Sequence, residues 1–315
     1  MADPRYPIFS KRFFLFLSLG VGVFLGLSLY GNWRAVSKAF HSFSYWTLPV
    51  ILGLAFMNYL SRFWRWELYL RRVNISLTGK DSFFIFMSGL VMTVTPGKMG
   101  ELLKSYLLNE GHQVPLTRSG PIVLAERFTD LLAVYLLTLL GSISFAYGAG
   151  ILWGGLSVLV LSLLPLIFPS LFQGLLRILK RFSWGRGLES PLQEAYGTLH
   201  DLMGFRLLLG ASLLGLVAWF FECLAFQMVF SGLGLEISLF KATFIYAFST
   251  LAGALSMLPG GIGAAEGSMA GLLLMIQIPK AQATTATIII RICTIWFAVI
   301  LGYGFLRAYR KHKKL

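Results

Sequence analysis

Charge is scarce in this sequence. Only 13% of its 315 residues are Asp, Glu, Lys or Arg, while 57% are hydrophobic. A soluble domain carries nearer a quarter charged residues. Mean hydropathy is +0.74, and several apolar runs reach the roughly 20 residues that cross a bilayer. A soluble core could not hide so much apolar surface. Reactive side chains are scarce too. Cys223 and Cys293 lie inside apolar runs without CxxC spacing, which makes them small packing residues. His41, His112, His200 and His312 lie outside those runs and do not cluster. The sequence therefore asks for no metal and no cofactor, and it holds no catalytic or nucleotide-binding motif. Acids are the rarest charges, 13 against 27 Lys and Arg, for a net charge of +14. The basic excess flanks the apolar runs in short clusters, as cytoplasmic loops do. No aromatic-basic module accompanies it, so nucleic acid is not the partner.

What is present reads as an all-α polytopic integral membrane protein, one transmembrane domain over 1–315. Six full spans are predicted near 13–30, 46–66, 121–141, 151–168, 207–230 and 282–306. The first follows Lys11 and Arg12 but has no small-residue cleavage site, so it reads as a retained helix. Ser18, Gly22 and Gly26 put small residues on one face of it, where a neighbouring helix could approach closely. Two further stretches, 83–108 and 242–278, are broken by Pro96-Gly97 and Pro259-Gly260. Proline removes a backbone donor and clashes with the preceding turn, and each remaining half is too short to cross. Both read as re-entrant hairpins, tolerated where protein or a polar cavity covers the broken backbone.

Basic residues set the expected orientation. They cluster before the first span (Arg5, Lys11, Arg12), after the second (Arg71, Arg72, Lys80), over 169–206 and in the tail (Arg307, Arg310, Lys311). Both termini are then cytoplasmic in a cell (inner) membrane. Arg34 and Lys38, in the outside segment 31–45, are an exception. Residues 171–182 carry Phe172, Leu175, Leu176 and Leu179 at helical spacing, which marks 169–206 as a cytoplasmic interfacial segment.

The two breaks share a pattern. Pro96-Gly97-Lys98-Met99-Gly100 matches Pro259-Gly260-Gly261-Ile262-Gly263 at an offset of 163 (259 − 96), and Arg127 matches Arg291 at 164 (291 − 127). Repeat cores over about 83–141 and 242–306 follow. The expected topology inverts one relative to the other, a plan that transporters use.

Nine charges fall within or beside these apolar stretches: Lys98, Glu101, Lys104, Glu126, Arg127, Asp130, Glu222, Glu266 and Arg291. Facing lipid they would cost about 20–30 kcal/mol together. They must pair or line a polar cavity. A helix that starts just after Pro-Gly directs free N–H groups at the break and attracts anions. With Arg127 and Arg291, the expected binding set is Pro96, Gly97, Lys98, Gly100, Glu101, Pro259, Gly260, Gly261 and Gly263, around an intramembrane network of Lys104, Glu126, Asp130, Glu222 and Glu266.

The segments Thr95-Pro96-Gly97-Lys98-Met99-Gly100-Glu101, Glu126-Arg127-Phe128-Thr129-Asp130 and Leu258-Pro259-Gly260-Gly261-Ile262-Gly263 with Glu266 resemble the signatures of the lysylphosphatidylglycerol synthase transmembrane-region family, also called the flippase-like domain family. The resemblance covers nearly the whole chain. It implies a flippase that moves a lipid between leaflets, as in the amino-terminal part of the multiple peptide resistance factor. The implied partners are membrane lipids, anionic or of the polyprenyl-phosphate type. The sequence stops at Leu315, without a soluble aminoacyl-transferase domain, so the expectation is a stand-alone member. Two alternatives stand beside transport: a membrane-embedded transferase with Glu126, Asp130 or Glu222 as base, and a partner subunit of a lipid-modifying enzyme.

Single cysteines test the topology. Those replacing Gly148 and Leu235 should react with an impermeant reagent from outside, and those replacing Ser183 and His312 only after permeabilisation. Labelling of positions 148 and 183 from one side would remove span 151–168, and with it the inversion.

Overall fold

A computed structural model describes residues 11–95, 99–143, 168–179 and 189–313, together with 153, 154, 156, 157, 159–161, 164 and 187. Most of span 151–168 and the residues Pro96, Gly97 and Lys98 lie outside the described set. The described residues hold helices and no strand. The helices are α1 (Lys11–Tyr30), α2 (Trp33–His41), α3 (Leu48–Arg72), α4 (Gly79–Gly89), α5 (Leu103–His112), α6 (Leu116–Ser142), α7 (Pro169–Leu179), α8 (Glu189–Leu202), α9 (Phe205–Gly232), α10 (Leu239–Leu255), α11 (Ala264–Met275), α12 (Lys280–Arg291) and α13 (Phe297–Lys313). A π turn, Ile292–Trp296, joins the last two, making one apolar span of 34 residues over Lys280–Lys313. Phe205–Gly232 is likewise long and apolar enough to cross, and α2 with the α3 helix forms a third candidate bent by 67°.

The helices α3 and α9 form the main packed pair. The buried face of α3 runs through Ile51, Ala55, Tyr59, Arg62, Trp66 and Tyr69. Opposite lie Ala211, Gly215, Ala218, Glu222, Ala225 and Val229 of α9, a stripe rich in small residues of the kind that lets membrane helices approach closely. A Cβ on Gly215 would sit 3.0 Å from the Arg65 guanidinium. Across the same seam Asn58 donates to the Ala218 carbonyl at 2.8 Å.

Backbone features at matched offsets extend back to this pair. Asn74 (φ 56°) and Gly234 (φ 68°) turn the chain after α3 and α9, 160 residues apart (234 − 74). Thr78 and Ser238 cap α4 and α10 by accepting the N–H groups of Asp81 and Lys241, again 160 apart (238 − 78). Past the breaks the offset becomes 164. Gln113 and Gln277 take left-handed φ values of 56° and 65°, and Pro115 and Pro279 sit at the N-caps of α6 and α12. The second copy is thus four residues longer, and the extra length lies between its two caps, around the break.

One expectation is corrected: Gly22 and Gly26 face open space, whereas Gly20 lies against Trp296 and Gly31 against Val36 and Thr284. Within segment 31–45 the chain forms the helix α2. In segment 169–206, Leu202 of α8 is fully buried in the cluster that holds Tyr69 and Leu108.

One end of the molecule gathers the start of α4 and the ends of α5 and α13. Asp81 pairs with Lys313 at 3.0 Å, His112 at 3.7 Å and His312 at 3.8 Å. Burial works against the Asp81 carboxylate, but hydrogen bonds from Lys313 and Thr78 hold it below its ordinary pKa. Its contribution to stability is therefore complete at neutral pH and is lost only below about pH 4. Burial and Lys313 push the His112 imidazole down, against the pull of Asp81. A base lowered in this way binds its proton more readily when unfolded, so stability falls as pH drops through the unfolded value of about 6.5. The melting temperature in detergent should fall between about pH 7.5 and 5.5, and His112→Asn should flatten that fall. Identical slopes would remove His112 from this clasp.

Candidate functional site

Between the repeats lies a cavity of about 480 Å³, bounded by Arg62, Arg127, Asp130, Glu222, Tyr246 and Arg291 on its polar side. Leu131, Val134, Leu251 and Leu258 bound it elsewhere. Leu258 and Met257, which also borders it, are 43% and 64% exposed, so the rim at the second break is apolar and open.

The two breaks meet here. The Gly260 N–H reaches the Thr95 carbonyl at 3.5 Å, and Val94, Ile262 and Ile295 pack together behind them. Gly260 and Gly261 have φ values of 60° and 67°, a region that side chains oppose. A Cβ on Gly261 would also lie 2.9 Å from the Gly253 Cα. The chain can therefore turn back onto α10 only with glycine at 261.

Each repeat carries one acid just past its break and pairs it with the matched arginine. Glu101 accepts from Arg127 at 2.9 Å, and Glu266 accepts from the Nε–H of Arg291. A second bond runs from Arg291 to the Gly260 carbonyl at 2.8 Å. The π turn begins at the next residue, and Tyr59 donates to the Thr294 carbonyl within it at 2.7 Å. Single π turns in helices frequently mark functional sites.

The first repeat holds the denser charge network. Asp130 meets Arg65 at 2.7 Å, Arg127 at 3.0 Å and Arg62 at 3.8 Å, and it accepts from Trp219 at 3.1 Å. Glu101 also meets Arg62 at 3.3 Å. Lys104 is buried between Glu101 and Glu126 and lies over the rings of Trp66 and Phe86 at 4.9 and 5.1 Å. Glu126 is wholly buried and does not reach the cavity wall. Glu222 does, and it accepts from Tyr246 at 2.6 Å. Arg62 and Glu222 occupy matched positions of the repeat (222 − 62 = 160).

At both described helix starts a backbone N–H that the expected anion site would use has a partner within the protein. The helix α11 starts at Ala264, and the Gly263 N–H is already taken by Glu266 at 2.6 Å. After the first break, the 3-10 turn Met99–Leu102 precedes α5, and Gly100 donates to Thr95 at 2.8 Å. Gly100 and Gly263 thus shape the breaks without lining the cavity, and Pro259 sits in the turn beside them. Sequence reasoning also missed Arg62 and Arg65. Their signal was there: two arginines three apart inside span 46–66, hence on one helix face. Arg62 and Arg127 each keep a buried Nε–H with no hydrogen-bond partner among the described residues.

The family description "Lysylphosphatidylglycerol synthase TM region" matches residues 15–302. The chain belongs to this family. It is a helical, multi-pass membrane protein. A UPF0104 membrane protein of Methanothermobacter thermautotrophicus is 34% identical over 122 residues, 39% of this chain and 36% of that protein, so that match spans about a third of the relative's length. A second match to a UPF0104 membrane protein of that organism is 22% identical over 76% of this chain and 78% of the relative. A UPF0104 membrane protein of Methanocaldococcus jannaschii is 25% identical over 76% and 77%. No solved structure matches.

The pairing pattern predicts different double-mutant outcomes. Glu266→Ala strands Arg291 and should cost about 3–5 kcal/mol. Adding Arg291→Ala should recover part of this, a coupling of about 1–3 kcal/mol. Arg127→Ala with Asp130→Ala leaves Arg65 without its carboxylate and Trp219 without its acceptor, and should recover less. Unfolding in detergent measures both cycles, and the reverse ranking would contradict the assigned partners.

Proposed function

We infer that the protein is a lipid transporter rather than an enzyme, and that it moves a lipid with an anionic phosphate headgroup between leaflets. The observation that carries this reading is the combination of an open apolar rim with three arginines, Arg62, Arg127 and Arg291, bordering the same cavity. The arginines offer charge-assisted bonds to phosphate oxygens, while Met257 and Leu258 suit an acyl or prenyl chain. Of the three candidate bases of the transferase reading, Glu222 borders the cavity and the other two are engaged elsewhere. Asp130 has four donors or cations around it, and Glu126 is closed off with Lys104.

The breaks belong to re-entrant hairpins in this reading, and the two copies are inverted in the membrane. Support comes from the 3.7 Å contact between Asp81, in the first turn of α4, and His112, the last residue of α5, since a chain that returns to its starting end has not crossed. Both termini then lie on the cytoplasmic side of the cell membrane. A lipid-modifying enzyme is the natural partner to supply such a substrate.

Proteoliposomes with fluorescent phospholipids of different headgroups test the function. The wild-type chain should equilibrate anionic lipids between leaflets and form no new product. Arg62→Lys and Arg127→Lys keep the charge but lose the planar fork. Losing one charge-assisted bond should slow transport about ten-fold, with expression and gel-filtration profile unchanged. Rates equal to protein-free vesicles would overturn transport, and unimpaired lysine variants would overturn the arginine site. Product formed from a polyprenyl-phosphate donor would favour the transferase.

A further inference from the structure

The positive residues of segment 31–45 have no place in the transport reading, and they break the charge rule that orients the other loops. The structure arranges them. In α2, Arg34, Lys38 and His41 are all exposed and fall at i, i+4 and i+7, one stripe along the helix. The opposite face is buried through Val36 and Ala39, with Gly31 just before it held against Thr284 of α12. The stripe is thus presented outward on a fixed support. No acidic residue occurs between Gly31 and Tyr45.

Large amphipathic rings surround the same helix. Tyr30, Trp33, Tyr45 and Trp46 are 54%, 60%, 56% and 91% exposed. The Tyr45 hydroxyl is fixed to the Phe40 carbonyl at 3.0 Å, and Lys280 sits over the Tyr30 ring at 3.5 Å. Trp and Tyr with a wet end and an apolar body gather at the headgroup level of a bilayer. The 67° bend between α2 and the following helix turns the short helix away from the direction of the span it precedes.

We propose that α2 is a headgroup shelf that concentrates anionic phospholipids of the leaflet it borders, with Arg34 and Lys38 contacting their phosphates and the four aromatic residues fixing its depth. Anionic lipid is the occupant because Arg34 and Lys38 are both positive and exposed and their aromatic frame matches a lipid interface. This surface is separate from the central cavity, so its test does not depend on transport.

A dye attached at Ala35→Cys reports the shelf, because Cys223 and Cys293 are both buried. The full chain is reconstituted in phosphatidylcholine vesicles with trace acyl-labelled phosphatidylglycerol or acyl-labelled phosphatidylcholine as energy acceptor. A cation near an anionic surface changes partition about five-fold, so transfer to phosphatidylglycerol should exceed transfer to phosphatidylcholine about two-fold or more after averaging over neighbouring lipids. The excess should vanish in Arg34→Gln/Lys38→Gln and shrink in high salt. Equal transfer to both lipids, or an excess that survives the double variant, would overturn the proposal. So would a dye with no acceptor in range, which would place α2 in water or against another protein.

Discussion

Charge buried in apolar surroundings is the constraint on which this structure depends. Five cations (Arg62, Arg65, Lys104, Arg127, Arg291) and five acids (Glu101, Glu126, Asp130, Glu222, Glu266) sit among the helices that surround the cavity. All but Arg127 are buried, and the Arg127 side chain is only 18% exposed. Each would cost several kcal/mol unpaired. The partners come from different elements: Asp130 of α6 needs α3 and α9, Lys104 of α5 needs α6, and Arg291 of α12 needs α11. The helices are thus tied to one another by charge pairs that span separate elements. The small-residue seam between α3 and α9 makes this possible, because it lets Arg65 lie against Gly215 and still reach Asp130.

The same network explains why the breaks tolerate their exposed backbone. At the second break Glu266 takes the Gly263 N–H, and Arg291 takes the Gly260 carbonyl. Side chains there replace the helical bonds that Pro259 and the glycines forgo, as broken membrane helices require. The two breaks also touch through Gly260 and Thr95. The cavity is therefore bounded by irregular backbone at the two breaks, held in place by buried ion pairs.

Much of this was legible in the sequence, for identifiable reasons. Charges in apolar runs announce themselves, which is why Arg127, Arg291, Glu101 and Glu266 were found. The repeat was visible where Pro-Gly and arginine recur, but its first helices were not, because α3 and α9 match only in backbone events such as the turns at Asn74 and Gly234. Arg62 and Arg65 were lost inside a run read as plain span. At the second break the Gly263 N–H, counted toward the anion site, is taken by Glu266 three residues later, the spacing of a capping acid.

The offset that relates Arg62 to Glu222 has an electrostatic consequence. The turns and caps recur, but the side chains that border the cavity do not: a guanidinium stands at 62 and a carboxylate 160 residues later (222 − 62). Asp130 likewise stands 164 residues before an uncharged Thr294 (294 − 130). Similar backbone therefore frames a cavity whose potential is uneven from one wall to the other.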